Sequence, residues 1–368
     1  MIISKVLTRS ALVLGTAFCL TAASSSAQEV YSSIIGAVSM KVPAGSDLYV
    51  TPSFNNSAVF RSDVSSAAAG SVSFSGAAFE PDSYASGHHL LIEEGTLAGR
   101  MFEITGNTAT VLTVSDPSSE LAAISDAQPL ASVVPVLTIG EMFPNGLGGK
   151  VEANPGNPDL ILFSNDNSAG VEGFAPESIY YYGDIAKDNG GNIISEPGWR
   201  KVGSPLFESH DDDVLPLGEG FVVRNNSGVD ASFFLFGEVM LAQVQIPIAS
   251  KSVGSTDNLV GVPRPLAIAI GDLGLETVVS VTSAANAVKD TVRIYSNNPQ
   301  GKNPSPDIIY CLYSDGWRSV VDGAVVTTGD VLDSSLVPAA SAVVVRKVAT
   351  TEDQVVYWTN SWSLPTQS

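Results

Sequence analysis

The feature that most constrains this chain is an internal repeat between its middle and its C-terminal part. The aligned blocks are, in chain order, 160–166 with 292–298, 198–200 with 316–318, 214–216 with 336–338, 221–224 with 343–346 and 233–236 with 355–358. Both copies of the second block read Gly-Trp-Arg. Blocks that recur in one order, with apolar character kept and loop lengths varied, are typical of a duplicated structural unit.

A weaker similarity extends the repeat towards the N-terminus. Residues 40–43 resemble 244–247, and 48–52 resemble 259–263, which aligns Leu48 with Leu259. We therefore expect a first unit over 28–239 and a second over 240–368. Residues from about 70 to 140 have no counterpart in the second copy. Three β-prone runs joined by hairpin-length, glycine-containing turns predict that this insert is a β-meander.

The rest of the pattern predicts an all-β fold of duplicated β-sandwich or barrel-like units. The apolar runs are short, rich in Val, Ile, Phe and Tyr, and separated by Gly, Asn, Asp and Pro. No segment keeps an apolar stripe at a period of 3.6 residues for three turns, which argues against a helix-rich protein. Residues 280–289 are the best remaining helix candidate. Regular short strands without crossover helices indicate sandwich or barrel packing.

The N-terminus has the pattern of a cleaved secretory signal peptide over residues 1–27. Lys5 and Arg9 precede an apolar run at 11–20, and small residues, including Ser25 and Ala27, lead to cleavage before Gln28. No later apolar segment reaches the length of a membrane-spanning helix. The sequence predicts a secreted protein in the periplasm, on the outer surface or outside the cell. The remaining cysteine, Cys311, lies in an apolar run and is expected to be a buried, inert thiol.

Charge restricts the possible partners. The chain has 18 Lys and Arg against 38 Asp and Glu, a net charge of −20, and the basic residues are scattered. Without a basic stripe to follow phosphates, nucleic acid and anionic membranes are poor partners. The expected partner is an unidentified component of the envelope or the exterior.

The densest group of possible metal ligands is the run His210, Asp211, Asp212 and Asp213. Clustered carboxylates suit calcium, and histidine suits transition metals. The run lacks the alternating carboxylates and the glycine of a calcium loop, so a solvated acidic loop is the favoured interpretation. Calcium stays possible but is not favoured, and no cofactor is predicted. The adjacent His88 and His89 would point to opposite faces of a strand and are expected at the surface or in a turn.

No catalytic signature is present in the sequence. A Gly-x-Ser-x-Gly nucleophile motif and a phosphate-binding glycine loop are missing, and three histidines give little support for a Ser-His-Asp triad. No two carboxylates are distinguished as a glycosidase pair. The sequence favours a protein that is not an enzyme.

The repeated Gly-Trp-Arg motif supports two interpretations. Exposed Trp and Tyr rings bind sugars or peptides, which makes Trp199, Trp317, Tyr181 and Tyr313 candidate ligand-binding residues. Alternatively, each tryptophan packs into the core of its unit, and the arginine caps it by cation–π contact or hydrogen bonds. Because the motif recurs in both copies, the core interpretation is favoured.

A further set of segments covers most of the chain after residue 27: 42–47, 91–93, 98–100, 104–112, 139–146, the tyrosine-rich run before Gly198, and 215–224. Together these segments resemble an uncharacterised family of secreted, β-rich proteins found in verrucomicrobial-type bacteria. The resemblance implies secretion and a β architecture, and the family provides no activity or site residue.

We therefore expect a secreted, acidic, non-catalytic structural or interaction protein of the cell envelope or exterior. The alternative is a glycan-binding module, with or without attached hydrolase activity. Buried Trp199 and Trp317 would favour the first function, and exposed aromatic rows beside a cleft would favour the second.

Overall fold

A computed structural model describes residues 34–124, 128–147, 157–164, 176–205 and 207–360, and strands account for most of its regular structure. The first ten strands are β1 (Ile35–Val42), β2 (Asp47–Val50), β3 (Phe60–Asp63), β4 (Ser66–Ala68), β5 (Ser71–Ser73), β6 (His88–Ile92), β7 (Met101–Asn107), β8 (Val111–Val114), β9 (Leu130–Pro135) and β10 (Pro144–Leu147). The next seven are β11 (Leu160–Ser164), β12 (Pro176–Gly183), β13 (Ala186–Lys187), β14 (Ile193–Ser195), β15 (Gly198–Lys201), β16 (Phe221–Arg224) and β17 (Ala231–Glu238).

The C-terminal part contains ten further strands. They are β18 (Val244–Ser250), β19 (Thr256–Gly261), β20 (Ile268–Ala269), β21 (Thr291–Ile294), β22 (Ile308–Tyr313), β23 (Gly316–Val321), β24 (Ala324–Val325), β25 (Leu336–Val337), β26 (Ala342–Lys347) and β27 (Gln354–Asn360). In the described ranges, the helical elements are α1 (Ile139–Met142) and 3-10 helices at Glu120–Ala123, Ile270–Asp272 and Leu275–Thr277. The all-β prediction is confirmed.

The helix expected at 280–289 is wrong. This segment contains turns and one bridge, in which Thr282 lies beside Tyr313. The Thr282 hydroxyl accepts the N–H of Lys289, and the carboxylate of Asp290 accepts the N–H of Ser280. Side chains that bond nearby backbone groups compete with helix formation, which explains the loop.

Two sets of strands share one arrangement. The N-terminal set forms a five-stranded sheet in the order β2-β16-β11-β12-β15, and the C-terminal set forms the order β19-β26-β21-β22-β23 with β24 added at its edge. A two-stranded ribbon accompanies each sheet, β1–β17 in the first set and β18–β27 in the second. Inward side chains of each ribbon share an apolar core with its sheet, so each set is a sandwich of open sheets.

The two larger sheets also pack against each other. A separate cluster joins Tyr49, Leu162 and Val222 of the first sheet to Leu259 and Val344 of the second. Strands β2 and β26 are thus buried on both faces, and their apolar residues follow one another instead of alternating with polar ones.

Ring stacking and a close backbone approach define this packing. The rings of Tyr49 and Tyr295 stack in parallel with centroids 3.8 Å apart. Gly261 lies so near the first sheet that an added Cβ would come within 1.6 Å of Thr51 Oγ1. Only glycine allows this approach.

An ion pair that occurs once in each sheet shows which residues of the two sheets are equivalent. Arg224 binds both carboxylate oxygens of Asp47 at 2.7 and 2.8 Å, and Arg346 binds those of Asp257 at 2.6 and 2.7 Å. Each aspartate lies directly opposite its arginine in the strand register. Asp47 therefore corresponds to Asp257, and the alignment of Leu48 with Leu259 is wrong by one residue.

The alignment of two other blocks is also wrong by one residue. Leu160 lies opposite Arg224, whereas Thr291, not Val292, lies opposite Arg346. Phe233 is buried, but Val355, its partner in the alignment, is exposed. Because side chains alternate between the faces of a strand, a slip of one residue moves each of them to the opposite face.

The insert forms a seven-stranded sheet in the order β3-β9-β6-β7-β8-β5-β4, with its own apolar core. The three expected meander strands are β6, β7 and β8, and the sheet begins with β3 at Phe60, earlier than the expected boundary near 70. Its 98–101 turn contacts the β18–β27 ribbon, where the N–H of Gln245 donates to the Gly99 carbonyl at 2.9 Å. Across the described ranges, no helix has the length and apolar character needed to span a membrane.

Candidate functional site

Trp199 and Trp317 lie in two separate cores and have 0% and 2% of their surface exposed. The backbone N–H of each donates a 2.8 Å hydrogen bond to an aspartate, Asp211 for Trp199 and Asp333 for Trp317. The indole N–H of Trp199 donates to the Phe143 carbonyl at 2.9 Å. Rings enclosed in this way present no face to a sugar or a peptide.

The aspartates join each tryptophan strand to a neighbouring helical turn. The backbone carbonyl of Asp211 accepts the N–H of Gly140 at 2.8 Å, and that of Asp333 accepts the N–H of Gly271 at 2.9 Å. A Cβ on either glycine would lie within 3.0 Å of its aspartate. The two halves of the chain therefore repeat the hydrogen bonds of this aspartate as well as the Gly-Trp-Arg sequence.

The arginines of the motif fasten loops by hydrogen bonds. Arg200 donates to the Ser195 hydroxyl and, at 2.6 Å, to the Glu196 carbonyl. Arg318 donates to both oxygens of Asp315 and, at 2.7 Å, to the Gly329 carbonyl. These contacts are structural, and they hold the strand that carries each tryptophan.

The two candidate tyrosines do not join the tryptophans in one surface. Tyr181 is buried on β12, and Tyr313 is half-buried at the end of β22, opposite Gly316. The exposed aromatic row that would favour a glycan platform is therefore not assembled by Trp199, Trp317, Tyr181 and Tyr313.

The acidic run is tied into the first sandwich. Asp211 accepts hydrogen bonds from Trp199 and from the Ser209 hydroxyl, the latter at 2.6 Å. Asp213 accepts from the Tyr180 hydroxyl at 2.7 Å and lies 3.1 Å from His210 Nδ1. Burial, reinforced by the hydrogen bond to Asp213, raises the pKa of Tyr180 above its ordinary value.

Asp212 is the exposed member of the run. Within the part of the chain that the structure describes, no three His, Cys, Asp or Glu side chains form a group able to hold a metal ion. The calcium alternative stays a hypothesis.

The two adjacent histidines lie within strand β6, not in a turn. His88 Nδ1 lies 2.9 Å from the Ser86 carbonyl oxygen. His89 lines a small cleft between the insert and the first sandwich, together with Phe54, Asn55 and Leu215. Burial lowers the pKa of His89 below its ordinary value, and the nearby Glu103 only partly offsets this effect.

Sequence reasoning missed the Asp–Arg pairs and a second recurring aspartate. Asp159 accepts the N–H of Asn226 at 2.7 Å, and Asp290 accepts the N–H of Val348 at 2.8 Å, in both cases just after the strand that carries the paired arginine. Both aspartates are buried. The sequence signal that could have found them is an aspartate directly before β11 in the first copy and directly before β21 in the second.

Among the described residues, several large exposed apolar side chains lie together on the outward face of the β1–β17 ribbon. We name it the aromatic face, and it consists of Ile35, Phe234 and Phe236, which are 65%, 62% and 60% exposed. Ala37 and Ser39 lie opposite the two phenylalanines in the register and are too small to cover their rings. Single exposed apolar residues are ordinary on protein surfaces, whereas adjacent exposed rings on one sheet face are a candidate for an interaction site.

The fold and its surfaces define an all-β protein in which two sandwiches carry one inserted β-sheet. No family model matches the sequence, and comparisons with curated proteins and with solved structures also give no match.

Proposed function

We propose that this chain is a secreted, non-catalytic structural or interaction protein that acts at the cell envelope or outside the cell. The observation that carries the proposal is the contrast between its buried and exposed aromatic residues. Trp199 and Trp317 serve the cores, whereas Phe234 and Phe236 are exposed side by side on a sheet face. The proposal includes the signal peptide over 1–27, units over 28–239 and 240–368 that arose by duplication, and a partner in the envelope or exterior.

The geometry of the acidic run supports a structural role for it. Asp211 and Asp213 accept hydrogen bonds from groups of the first sandwich, and their oxygens are thereby oriented towards the protein. The net charge of −20 fits a protein that stays dispersed among other secreted components.

Export is tested by fractionating cells that produce the full chain and sequencing the N-terminus of the product. We expect the protein outside the cytoplasm with Gln28 as its first residue. Product that stays in the cytoplasm with Met1 retained would contradict the proposed location.

Binding class is tested on a glycan array with the mature chain, with and without calcium. We expect no glycan to be bound above background in either condition. Saturable binding of one glycan class that is lost on replacement of Tyr313 by alanine would replace the proposal with a glycan-binding function.

A further inference from the structure

The aromatic face has a counterpart within the same chain. The β18–β27 ribbon holds the corresponding place in the second sandwich, and its outward face includes Tyr357 beside Pro247. That counterpart is partly covered, because the insert reaches it with the turn at 98–101. Within the part of the chain that the structure describes, Phe234 and Phe236 of the aromatic face stay 62% and 60% exposed.

The covering turn uses three kinds of contact. The Gly99 carbonyl of the turn accepts the backbone N–H of Gln245 in the ribbon. The side-chain amides of Gln243 and Gln245 donate to the Ala98 carbonyl at 2.7 and 2.8 Å. The guanidinium carbon of Arg100 lies 3.5 Å from the centroid of the Tyr357 ring. A guanidinium stacked on an aromatic face combines dispersion with attraction to the ring quadrupole.

The aromatic face offers the same features to a molecule outside the chain. It has two exposed rings instead of one, and Glu238 lies opposite Ile35 at one end of the ribbon. One carboxylate oxygen of Glu238 is buried and has no hydrogen-bond partner among the described residues, so the attraction of a cation to this face depends on the charge of the whole chain. The net charge of −20 attracts cations over long distances and opposes the approach of a second copy.

We propose that the aromatic face is a docking site for an arginine-bearing β-turn of a basic partner protein. The partner's guanidinium stacks on Phe234 or Phe236, as Arg100 stacks on Tyr357 in the second sandwich. This inference rests on the proposed interaction function and assigns that function to one surface and one partner chemistry.

The test uses the mature chain and a synthetic probe that copies the covering turn. The probe is a cyclic peptide with the sequence of residues 96–102, closed by a disulfide between two added cysteines, and the control peptide has citrulline in place of arginine. Citrulline keeps the shape of the side chain and removes its charge. The chain has 14 phenylalanines, so 13C-phenylalanine labelling gives few enough NMR signals to follow each ring. Phe234→Ser and Phe236→Ser assign the two signals that matter.

We expect the probe to shift the Phe234 and Phe236 signals in a saturable way, with a dissociation constant on the order of 1 mM or tighter. The citrulline peptide should bind at least about tenfold more weakly. The double variant Phe234→Ser/Phe236→Ser should lose the response, whereas Val253→Ser, at an apolar residue exposed elsewhere, should keep it. Thermal melts of both variants should match the wild type, because all three residues are exposed.

Three results would overturn the inference. They are the absence of saturable shifts at Phe234 and Phe236, equal binding of the citrulline peptide, and a wild-type dimer in sedimentation velocity that the double variant converts to a monomer. The last result would identify a second copy as the occupant. The glycan array distinguishes failure of this inference from failure of the proposed function. If the array gives no hits, the proposed interaction function is still supported, and only the assignment of that function to the aromatic face is rejected.

Discussion

At the residue scale, Asp211 shows how a carboxylate from a dense acidic run serves the fold. One of its oxygens accepts the N–H of the buried Trp199, and its own carbonyl accepts the N–H of Gly140. Asp212, the next residue, is exposed. Two neighbouring carboxylates with similar sequence surroundings therefore have different energetic importance.

This difference predicts the effect of substitution. Asp211→Ala leaves the Trp199 N–H without a partner next to a buried ring, so it should lower the free energy of unfolding by about 1–3 kcal/mol. Asp212→Ala should change it by less than about 0.5 kcal/mol. Urea unfolding of the two variants measures both values. Equal losses would show that the hydrogen bond to Trp199 does not stabilise the fold.

Replacing Trp199 or Trp317 by alanine should lower the free energy of unfolding by similar amounts. Each is buried in the core of one sandwich, so Trp199→Ala and Trp317→Ala should each destabilise the protein by about 3–5 kcal/mol. Thermal melts of both variants and of Val253→Ala, an exposed control, provide the comparison. Melting temperatures equal to that of the wild type would place the rings at the surface and restore the glycan-platform interpretation.

His89 predicts a dependence of stability on pH. Burial holds the pKa of His89 below the ordinary value of 6.5, so the unfolded chain binds the proton more readily than the folded one. The contribution of neutral His89 to the free energy of unfolding is fully present above pH 6.5. It is lost as the pH falls from 6.5 towards the lowered pKa of the folded state. His89→Gln should make the urea midpoint less dependent on pH between about pH 5 and pH 7. An unchanged slope in His89→Gln would refute the assignment.

At the scale of elements, the packing of the two larger sheets depends on small residues where the strands come closest. An added methyl group on Gly261 would meet Thr51, and one on Gly220 would lie 2.5 Å from the Cβ of Ala342. These contacts explain why glycine occupies both positions, one at the end of β19 and one directly before β16.

Gly261→Ala should therefore separate the sheets locally and lower the free energy of unfolding by about 1–3 kcal/mol. Gly228→Ala is the matched control, because nothing lies within 4 Å of its added Cβ. Chemical denaturation gives both values, and the spectral environment of Tyr49 and Tyr295, which stack across the same contact, reports the separation. Equal stability of the two variants would contradict the close approach.

At the scale of the whole molecule, the charge of −20 makes repulsion between carboxylates the dominant long-range interaction. Ion pairs such as Asp47–Arg224 engage only some of the 38 acidic residues, since the chain has 18 Lys and Arg. The compact state is therefore expected to respond to ionic strength.

Sodium chloride should raise the melting temperature, because the Debye length falls to about 10 Å at 0.1 M and exposed charges are screened. Calcium at matched ionic strength should add little. The measurement is melting against calcium concentration in a fixed background of salt, for the wild type and for Asp212→Asn. A calcium shift that grows with the logarithm of calcium concentration and disappears in the variant would establish 210–213 as a metal site, since specific binding to the folded state stabilises it in this way.

The sequence by itself determined the all-β fold and the correspondence of the Gly-Trp-Arg and Val-Val-Arg segments. Short β-branched and aromatic runs between turn residues are a local signal, and a tryptophan or arginine at a fixed place is an unambiguous marker. Composition alone also determined the strong negative charge. These properties depend on residues near each other in the chain or on no neighbours at all.

Only the tertiary structure decided the register of the remaining strands and the exposure of each face. In strands buried on both faces, such as β2 and β26, apolar residues occur at odd and even positions alike, so hydrophobicity does not indicate which side chains point inward. The alignment of Leu48 with Leu259 was wrong for this reason. The Asp47–Arg224 contact that corrects it joins residues 177 positions apart. The exposure of Phe234 and the covering of Tyr357 likewise depend on where the insert packs, and that contact forms only when the whole chain has folded.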